Sequence, residues 1–488
     1  MAKKDSLSTF FYISLLHSLT KLGLLCSLNI DLHFCGKSRL MYIRRNFLHL
    51  AILGISLVNS SRKSEAVDSS REKVEEVEGF NDERRGRTFV IQDDILLTEN
   101  KASEFIESAG SNRHKRQAQR RNVSNENLWL DGVQYVFDPK ASKDLRDGFV
   151  LAAKAWEKDT CINFTSVASV EQVKGEDYLY VTYDENDPEG CLSHVGKLGG
   201  YQPIFLGHGC ESFPHAAHEV GHALGLYHTQ NRHDRGHYIK LNMEKIKKDN
   251  LVEQFVELTE EQNENYGLPY DYGSIMHYGS SVKDAIINPT DDKYKTTMGS
   301  PLISFIDLLM INMHYNCTDK CDPDSSAHCD NGGFPHPRNC SECICPRGYG
   351  GSHCNERPKD CQQGKEVVAT ENWKDLNPYV SKTSTDGSYA TCTYWITCPE
   401  DKRIEINIES IDSKDPSIGC AKGGVEIKAN ADHKLTGYRY CVDPDEELVI
   451  RSHSNRVPII LYSGVPFFWT NAGMQYRYDL GLCNSSGC

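Results

Sequence analysis

After residue 58 the chain holds no uninterrupted apolar run of the ~20 residues that a membrane-spanning helix needs, so no stable membrane span is expected. Positive charge is also in short supply. Lys and Arg total 54 against 68 Asp and Glu, for a net charge of −14. Proteins that grip nucleic acid usually show a basic stripe; none stands out here, and nucleic acid is excluded as an expected partner. Cysteine is missing between Cys35 and Cys161, whereas many of the 19 in the chain crowd between Cys317 and Cys361. Such spacing points to a disulfide framework and an oxidising compartment, with a cytosolic zinc module the weaker reading. At ~100–200 residues per domain, 488 residues predict two to four domains.

The N-terminal part reads as an export and processing region. Met41-Tyr-Ile-Arg44-Arg45 is a basic start, residues 47–58 form an apolar core, and Asn59-Ser60-Ser61 is small and polar. That is the pattern of a signal peptide over residues 41–61, within an N-terminal region of residues 1–61. An earlier apolar stretch at residues 9–35, broken by His17 and Lys21, leaves the start methionine open. Residues 62–121 read as a propeptide. Its first part, residues 62–87, is charged and poor in apolar side chains, and an apolar island follows at residues 88–98. The basic clusters Arg113-His-Lys-Arg116 and Arg120-Arg121 suit an activating protease that cuts after Arg121 or after Arg116. The expected location is secreted and extracellular.

From residue 129 the composition is that of a folded domain. Ser142 can cap a helix whose apolar stripe is Leu145, Phe149, Ala152 and Trp156. Residues 178–183 and 202–206 are rich in β-formers, and residues 215–225 read as a helix. In that helix His218 and His222 lie four residues apart and share a face, so both can point at one metal. Glu219 sits beside them and can reach a water at that metal. Gly225 can end the helix in the left-handed conformation, after which His228 can supply a third nitrogen. Three imidazoles with an open position make a catalytic zinc site. A chance match to this extended pattern is on the order of one in 10⁴. Ser274-Ile-Met276-His-Tyr278 lies downstream where a Met-turn is expected, with Met276 as an apolar floor.

On these residues the chain resembles the astacin family of metzincin metalloproteases over residues 122–318, with Arg232, Asp234, Arg235 and Tyr238 extending the likeness. The resemblance implies an α+β protease domain of two lobes around a zinc cleft. It implies that Tyr278 is a further zinc ligand at rest and an oxyanion stabiliser in turnover, with Glu219 as general base. It implies disulfides Cys161–Cys317 and Cys191–Cys210, and an edge strand at residues 202–206 that pairs with extended protein substrates. The family's glutamate after the third histidine, which helps to anchor the new N-terminus, is Thr229 here. Ile91-Gln-Asp-Asp94 resembles the pro-segment motif whose aspartate takes the zinc, with Asp94 first choice and Asp93 second. The motif's glycine and aromatic are here Asp93 and Ile91.

Residues 319–356 resemble a small disulfide-rich EGF-like module. Six cysteines allow 15 connectivities; the resemblance selects Cys321–Cys340, Cys329–Cys343 and Cys345–Cys354. Residues 361–481 resemble an all-β CUB sandwich, implying Cys361–Cys392 and Cys420–Cys441, followed by a tail at residues 482–488. Glycine stands where many such modules place a calcium-binding acid before the strand that starts at Gly424, which argues against calcium. Cys398, Cys483 and Cys488 remain, an odd number. The module order is similar to that of nematode astacins, whose CUB domains contact substrates or protein partners. Asn122, Asn163, Asn316, Asn339 and Asn484 open glycosylation triplets. The expected function is a zinc metalloendopeptidase. The competing reading is a catalytically weak extracellular binding protein acting through its EGF-like and CUB modules.

Overall fold

Ser142 opens the first long helix, α1 (Lys143–Lys158), with its hydroxyl accepting the Leu145 N–H at 3.1 Å. Asp144 and Lys158 sit at the ends that suit the helix dipole, and Leu145, Phe149, Ala152, Ala153 and Trp156 form the buried stripe. The computed structural model describes residues 75–76, 88–98, 101–102, 118–119, 126–175, 177–184, 189–258, 263–413, 417–444 and 446–479. The expected signal segment, Arg116, Arg121, Asn122, Cys483, Asn484 and Cys488 lie outside the described residues.

Helix α1 packs under a sheet that begins in the leader. Its strands are β1 (Glu75–Glu76), β2 (Thr88–Ile91), β3 (Ile95–Thr98), β5 (Val133–Phe137), β6 (Phe164–Ser166), β7 (Tyr178–Thr182), β8 (Cys191–His194) and β9 (Tyr201–Leu206). The order is β1-β2-β3-β8-β9-β7-β5-β6. Strand β4 (Ala118–Gln119) stands apart, paired with β11 (Asn263–Glu264). The expected edge strand at residues 202–206 is therefore an interior strand: β9 pairs with β7 on one side and β8 on the other. Its residues from Gln202 to Leu206 are buried without alternation, as befits a strand covered on both faces. The edge of the protease body is β8, and the leader's β3 lies along it in parallel.

Beyond helix α2 (Phe213–Ala223) the second lobe has little regular structure. It holds the two-stranded pair β10 (Ile239–Leu241) and β12 (Ile287–Pro289), the short helix α3 (Met243–Lys248) and α4 (Phe305–His314). Ser304 and Asp307 close a reciprocal capping box at the start of α4, satisfying two N–H groups that a helix end leaves unpaired. Disulfides join Cys161 to Cys317 and Cys191 to Cys210.

A hairpin of β13 (Phe334–His336) and β14 (Asn339–Ile344) follows, with disulfides Cys321–Cys340, Cys329–Cys343 and Cys345–Cys354. So small a segment cannot bury enough apolar surface alone, and cross-links take the place of a core. Then come two packed sheets. One orders β15 (Glu366–Val368), β18 (Ala390–Thr397), β23 (Arg456–Ser463), β20 (Gly423–Ile427) and β21 (Tyr438–Tyr440). The other orders β16 (Lys374–Leu376), β24 (Phe468–Tyr478), β19 (Ile404–Asp412) and β22 (Leu448–Arg451), with β17 (Tyr379–Lys382) also on β24. Alternating Ile404, Ile406 and Ile408 of β19 meet Val425, Ile427, Ile459 and Leu461 in the sandwich core. Cys361–Cys392 and Cys420–Cys441 are bonded, and Cys398 is a buried thiol.

The sandwich is docked on the second lobe. Tyr272 stacks on Tyr294 at 4.2 Å, and Tyr294 meets Tyr438 of β21 at 4.7 Å. Buried Asp271 accepts the Thr436 N–H and hydroxyl at 3.1 and 3.0 Å. The chains come so close there that a Cβ at Gly273 would overlap the Thr436 side chain. Arg439, fully buried, pairs with Glu426 at 3.0 Å and reaches Ser300 Oγ at 2.5 Å. The hairpin module docks on the first lobe: Arg338 donates to the carbonyls of Glu157, Thr160 and Ile162 and to Asn163 Oδ1. Asn163, Asn316 and Asn339 are exposed.

Candidate metal centre and its cleft

Helix α2 starts two residues earlier than the sequence suggests and ends at Ala223. Gly225 then turns at φ +109°, and a Cβ there would fall 2.8 Å from His314 Nε2. That turn returns the chain so that His228 faces His218 and His222, with ring centroids 4.7 to 5.2 Å apart. Beneath the helix, fully buried Met276 packs so closely that a Cβ at Gly221 would lie 2.7 Å from its sulfur. Trp156 Nε1 donates to the Ala217 carbonyl at 3.0 Å and ties α1 to this helix.

Each imidazole is held by its Nδ1. His218 faces the Ile275 carbonyl at 2.8 Å, His222 the Leu226 carbonyl at 2.7 Å, and His228 the Gln92 Oε1 at 3.0 Å. Those oxygens only accept, so Nδ1 carries the proton and each Nε2 keeps a lone pair. Burial pushes the His222 and His228 rings towards the neutral, ligating form. The three Nε2 atoms and the Asp94 carboxylate converge within 4.8 Å of one another. Asp94 Oδ2 is 3.1 Å from His228 and 3.4 Å from His218, Oδ1 is 3.8 Å from His222, and His218 and His228 are 3.1 Å apart. Four donors ~2.0–2.1 Å from one zinc stand about 3.3 Å apart in a tetrahedron. His222 Nε2 and Asp94 Oδ1 are buried with no hydrogen-bond partner, which also fits a cation at the centre.

The leader brings Asp94, not Asp93, to the histidines. Gln92 and Asp93 form the turn between β2 and β3 with φ +53° and +73°. The position expected to be glycine is thus left-handed, a region Asp tolerates better than most residues. Gln92 is a member of the site that sequence reasoning misses. It is buried, its side chain meets His228, and its carbonyl accepts the Tyr278 hydroxyl. Tyr278 therefore stands beside the centre, its ring 4.5 Å from that of His228, and the fourth position is taken by Asp94. Gln230 Oε1 accepts the Tyr278 N–H at 2.9 Å.

Glu219 is 2% exposed and its Oε2 has no partner. Burial, reinforced by the charge of Asp94, raises its pKa well above the usual carboxylate range. Thr229 is also fully buried. Its hydroxyl donates to Ser274 at 2.9 Å, which donates to Asp307 at 2.5 Å, and Asp307 accepts the Ile275 N–H at 2.9 Å. This relay fixes the Met-turn. Arg232 is clamped to Asp234 and to the Leu268 and Pro269 carbonyls.

Comparison with known proteins gives a consistent answer. The family model for the astacin peptidases matches residues 121–316. The Caenorhabditis elegans zinc metalloproteinase nas-31 is 40% identical over 419 residues, 83% of this chain and 65% of the relative. Thus the chain spans somewhat less than two thirds of that relative's length. Zinc metalloproteinase nas-25 of the same worm is 34% identical over 72% of this chain and 88% of its own. Among solved structures, the medaka hatching enzyme zinc-protease high choriolytic enzyme 1 is 26% identical over 41% of this chain and 94% of its own, with a TM-score of 0.33. The MASP-1 CUB2 domain is 20% identical over 24% of this chain and 99% of its own, with a TM-score of 0.17. Zinc is the cofactor that the donor set fits and that the relatives' names carry. The family's model lies over the three histidines of the centre, and relatives more than 30% identical align over most of their own length: the chain belongs to the astacin family of peptidases.

Proposed function

We propose that the matured protein is a secreted zinc-dependent metalloendopeptidase that hydrolyses peptide bonds in extracellular proteins and is kept latent by its leader. The observation that carries this reading is the buried Glu219 carboxyl, its Oε2 without a partner, beside a three-histidine centre whose fourth position is filled from the leader. Zinc, when bound, supplies a Lewis acid that acidifies water and polarises a carbonyl. Glu219 takes the water's proton and returns it to the leaving amine. The Tyr278 hydroxyl donates to the carbonyl oxygen as negative charge grows there. Strand β8, freed of β3, offers its edge to an extended substrate. In the precursor Asp94 occupies the centre and Gln92 holds His228 and Tyr278. Residues 319–356 serve as an EGF-like module and residues 361–481 as a CUB module for substrate or partner contact. The exposed Asn163, Asn316 and Asn339 carry glycans.

The test uses the full chain, converted and assayed on a protein substrate. A zinc chelator is expected to abolish cleavage and added zinc to restore it. A converted protein that binds zinc yet cleaves nothing across a broad peptide library would instead favour the binding-protein reading. Gln230→Met is expected to lower kcat about tenfold, the equivalent of one ~1.4 kcal/mol hydrogen bond. KM and zinc content should stay close to the parent's, because Gln230 acts by positioning Tyr278. A rise in KM at unchanged kcat would show that it acts on substrate binding.

A further inference from the structure

The leader hairpin is a cast of one side of the cleft. From Asp94 at the centre, β3 runs along the rim strand β8 in parallel, with Ile95 opposite Ser193 and Leu96 opposite His194. The Ser193 N–H donates to the Asp94 carbonyl at 2.9 Å, and His194 Nδ1 faces the Leu96 carbonyl at 2.8 Å. Side chains of a strand alternate between its two faces. On one face Ile95 and Leu97, with Ile91 and Ala102, pack on Val195, Tyr227 and Leu258. On the other face Leu96, with Val90, packs on Leu192 and Phe205.

The first of these clusters lies at the metal centre. Tyr227 directly precedes His228, and the Leu258 N–H donates to the Asn231 carbonyl at 3.0 Å. Every other apolar side chain in that cluster belongs to the leader. When the hairpin departs, Val195, Tyr227 and Leu258 lose that cover, and Leu192 and Phe205 lose theirs on the opposite face. A peptide that replaces β3 along β8 gains main-chain hydrogen bonds from the rim, and the pockets for alternate side chains set which peptide it is. Antiparallel pairing is the more stable per residue. A substrate therefore runs against the direction of β3, and the residues before its scissile bond lie where Ile95, Leu96 and Leu97 lie in the precursor.

We infer that the cleft selects an extended peptide with branched aliphatic side chains ahead of the scissile bond, and that Val195, Tyr227 and Leu258 form the pocket that reads them. The inference rests on the proposed peptidase reading and names its substrate class.

Binding decides the matter without turnover. The converted, zinc-loaded full chain is titrated in a calorimeter with acetylated tripeptides that end in a hydroxamate. That group takes the metal and leaves the three residues lying back along β8. Relative to the all-glycine probe, leucine or isoleucine is expected to tighten binding by about 10–200-fold at one or more of the three positions. In Leu258→Ala the advantage of leucine over glycine should shrink, and phenylalanine should gain on leucine as the pocket deepens. Val195→Ala supplies the same comparison if Leu258→Ala does not fold. Affinities within threefold for glycine, leucine, aspartate and lysine at every position overturn the inference and leave both clusters as a seat for the leader alone. Tighter binding of a charged side chain than of leucine overturns it too, as does equal weakening of all probes in the variants. Aliphatic-selective binding by a protein that cleaves no peptide would count against the peptidase reading and not against this one.

Discussion

Replacing Glu219 with glutamine in the converted protein is expected to lower kcat/KM by about 10²–10⁴-fold without loss of zinc. Glutamine keeps the shape of the side chain and removes only its ability to accept a proton. Glu219 makes no hydrogen bond through Oε2 and is almost wholly buried, so the variant should fold and melt at or above the parent's temperature. A buried carboxyl oxygen without a partner is a cost to the fold. In the precursor the charge of Asp94 is a second cause of its raised pKa. That charge departs with the leader, which lowers the carboxyl towards the range where it can act as a base. Steady-state kinetics beside metal analysis make the measurement. Retention of more than a tenth of the parent rate would move the proton transfer to another group.

Arg439→Met is expected to destabilise the protein by about 3–5 kcal/mol, the usual effect of removing one partner from a buried ion pair. Glu426 and Arg439 are both fully buried, and Arg439 also reaches Ser300 across the junction with the protease lobe. Burial by itself would raise the Glu426 carboxyl; Arg439, helped by Arg347 and Lys428, overrides this and holds it at about 2. The sign of the pH dependence follows. With its folded pKa below the unfolded value of about 4.3, Glu426 stabilises the parent above that value, and the contribution fades as pH falls towards 2. In Arg439→Met the largest opposing charge is gone, burial is countered only by Arg347, Lys428 and the Gly437 N–H, and the carboxyl rises from its parent value. The deficit should therefore narrow on acidification, and Glu426→Gln/Arg439→Met should recover much of it at neutral pH. Because the pair bridges sandwich and protease, both should melt in one transition. Two separate transitions, with only the later β-rich one moved, would show that the junction is not cooperative.

How far the sequence can be read depends on the range over which each feature is determined. The zinc helix is legible because His218, Glu219 and His222 report to one another within a single turn and a half, and Gly225 marks the stop locally. Asp94 is found through the likeness of a short motif, and the left-handed turn at Asp93 shows why an aspartate can replace glycine there. The strand at residues 202–206 is expected at an edge because a short apolar run looks alike at an edge and in the interior; only pairing with β7 and β8 separates the two. Gln92 gives no signal at all. Its partner is 136 residues away, and a glutamine in a leader carries no pattern. Asp271 and Thr436, 165 residues apart, are hidden for the same reason.

Gly273 leaves a mark of the sandwich inside the protease lobe. With Thr436 where it is, no side chain fits at that position. The position therefore stays narrow in any descendant that keeps both modules in place, and it becomes free to vary in one that sheds the second. Drift at a single site of the catalytic lobe would thus record whether the neighbour is still in residence, even in a fragment too short to include it.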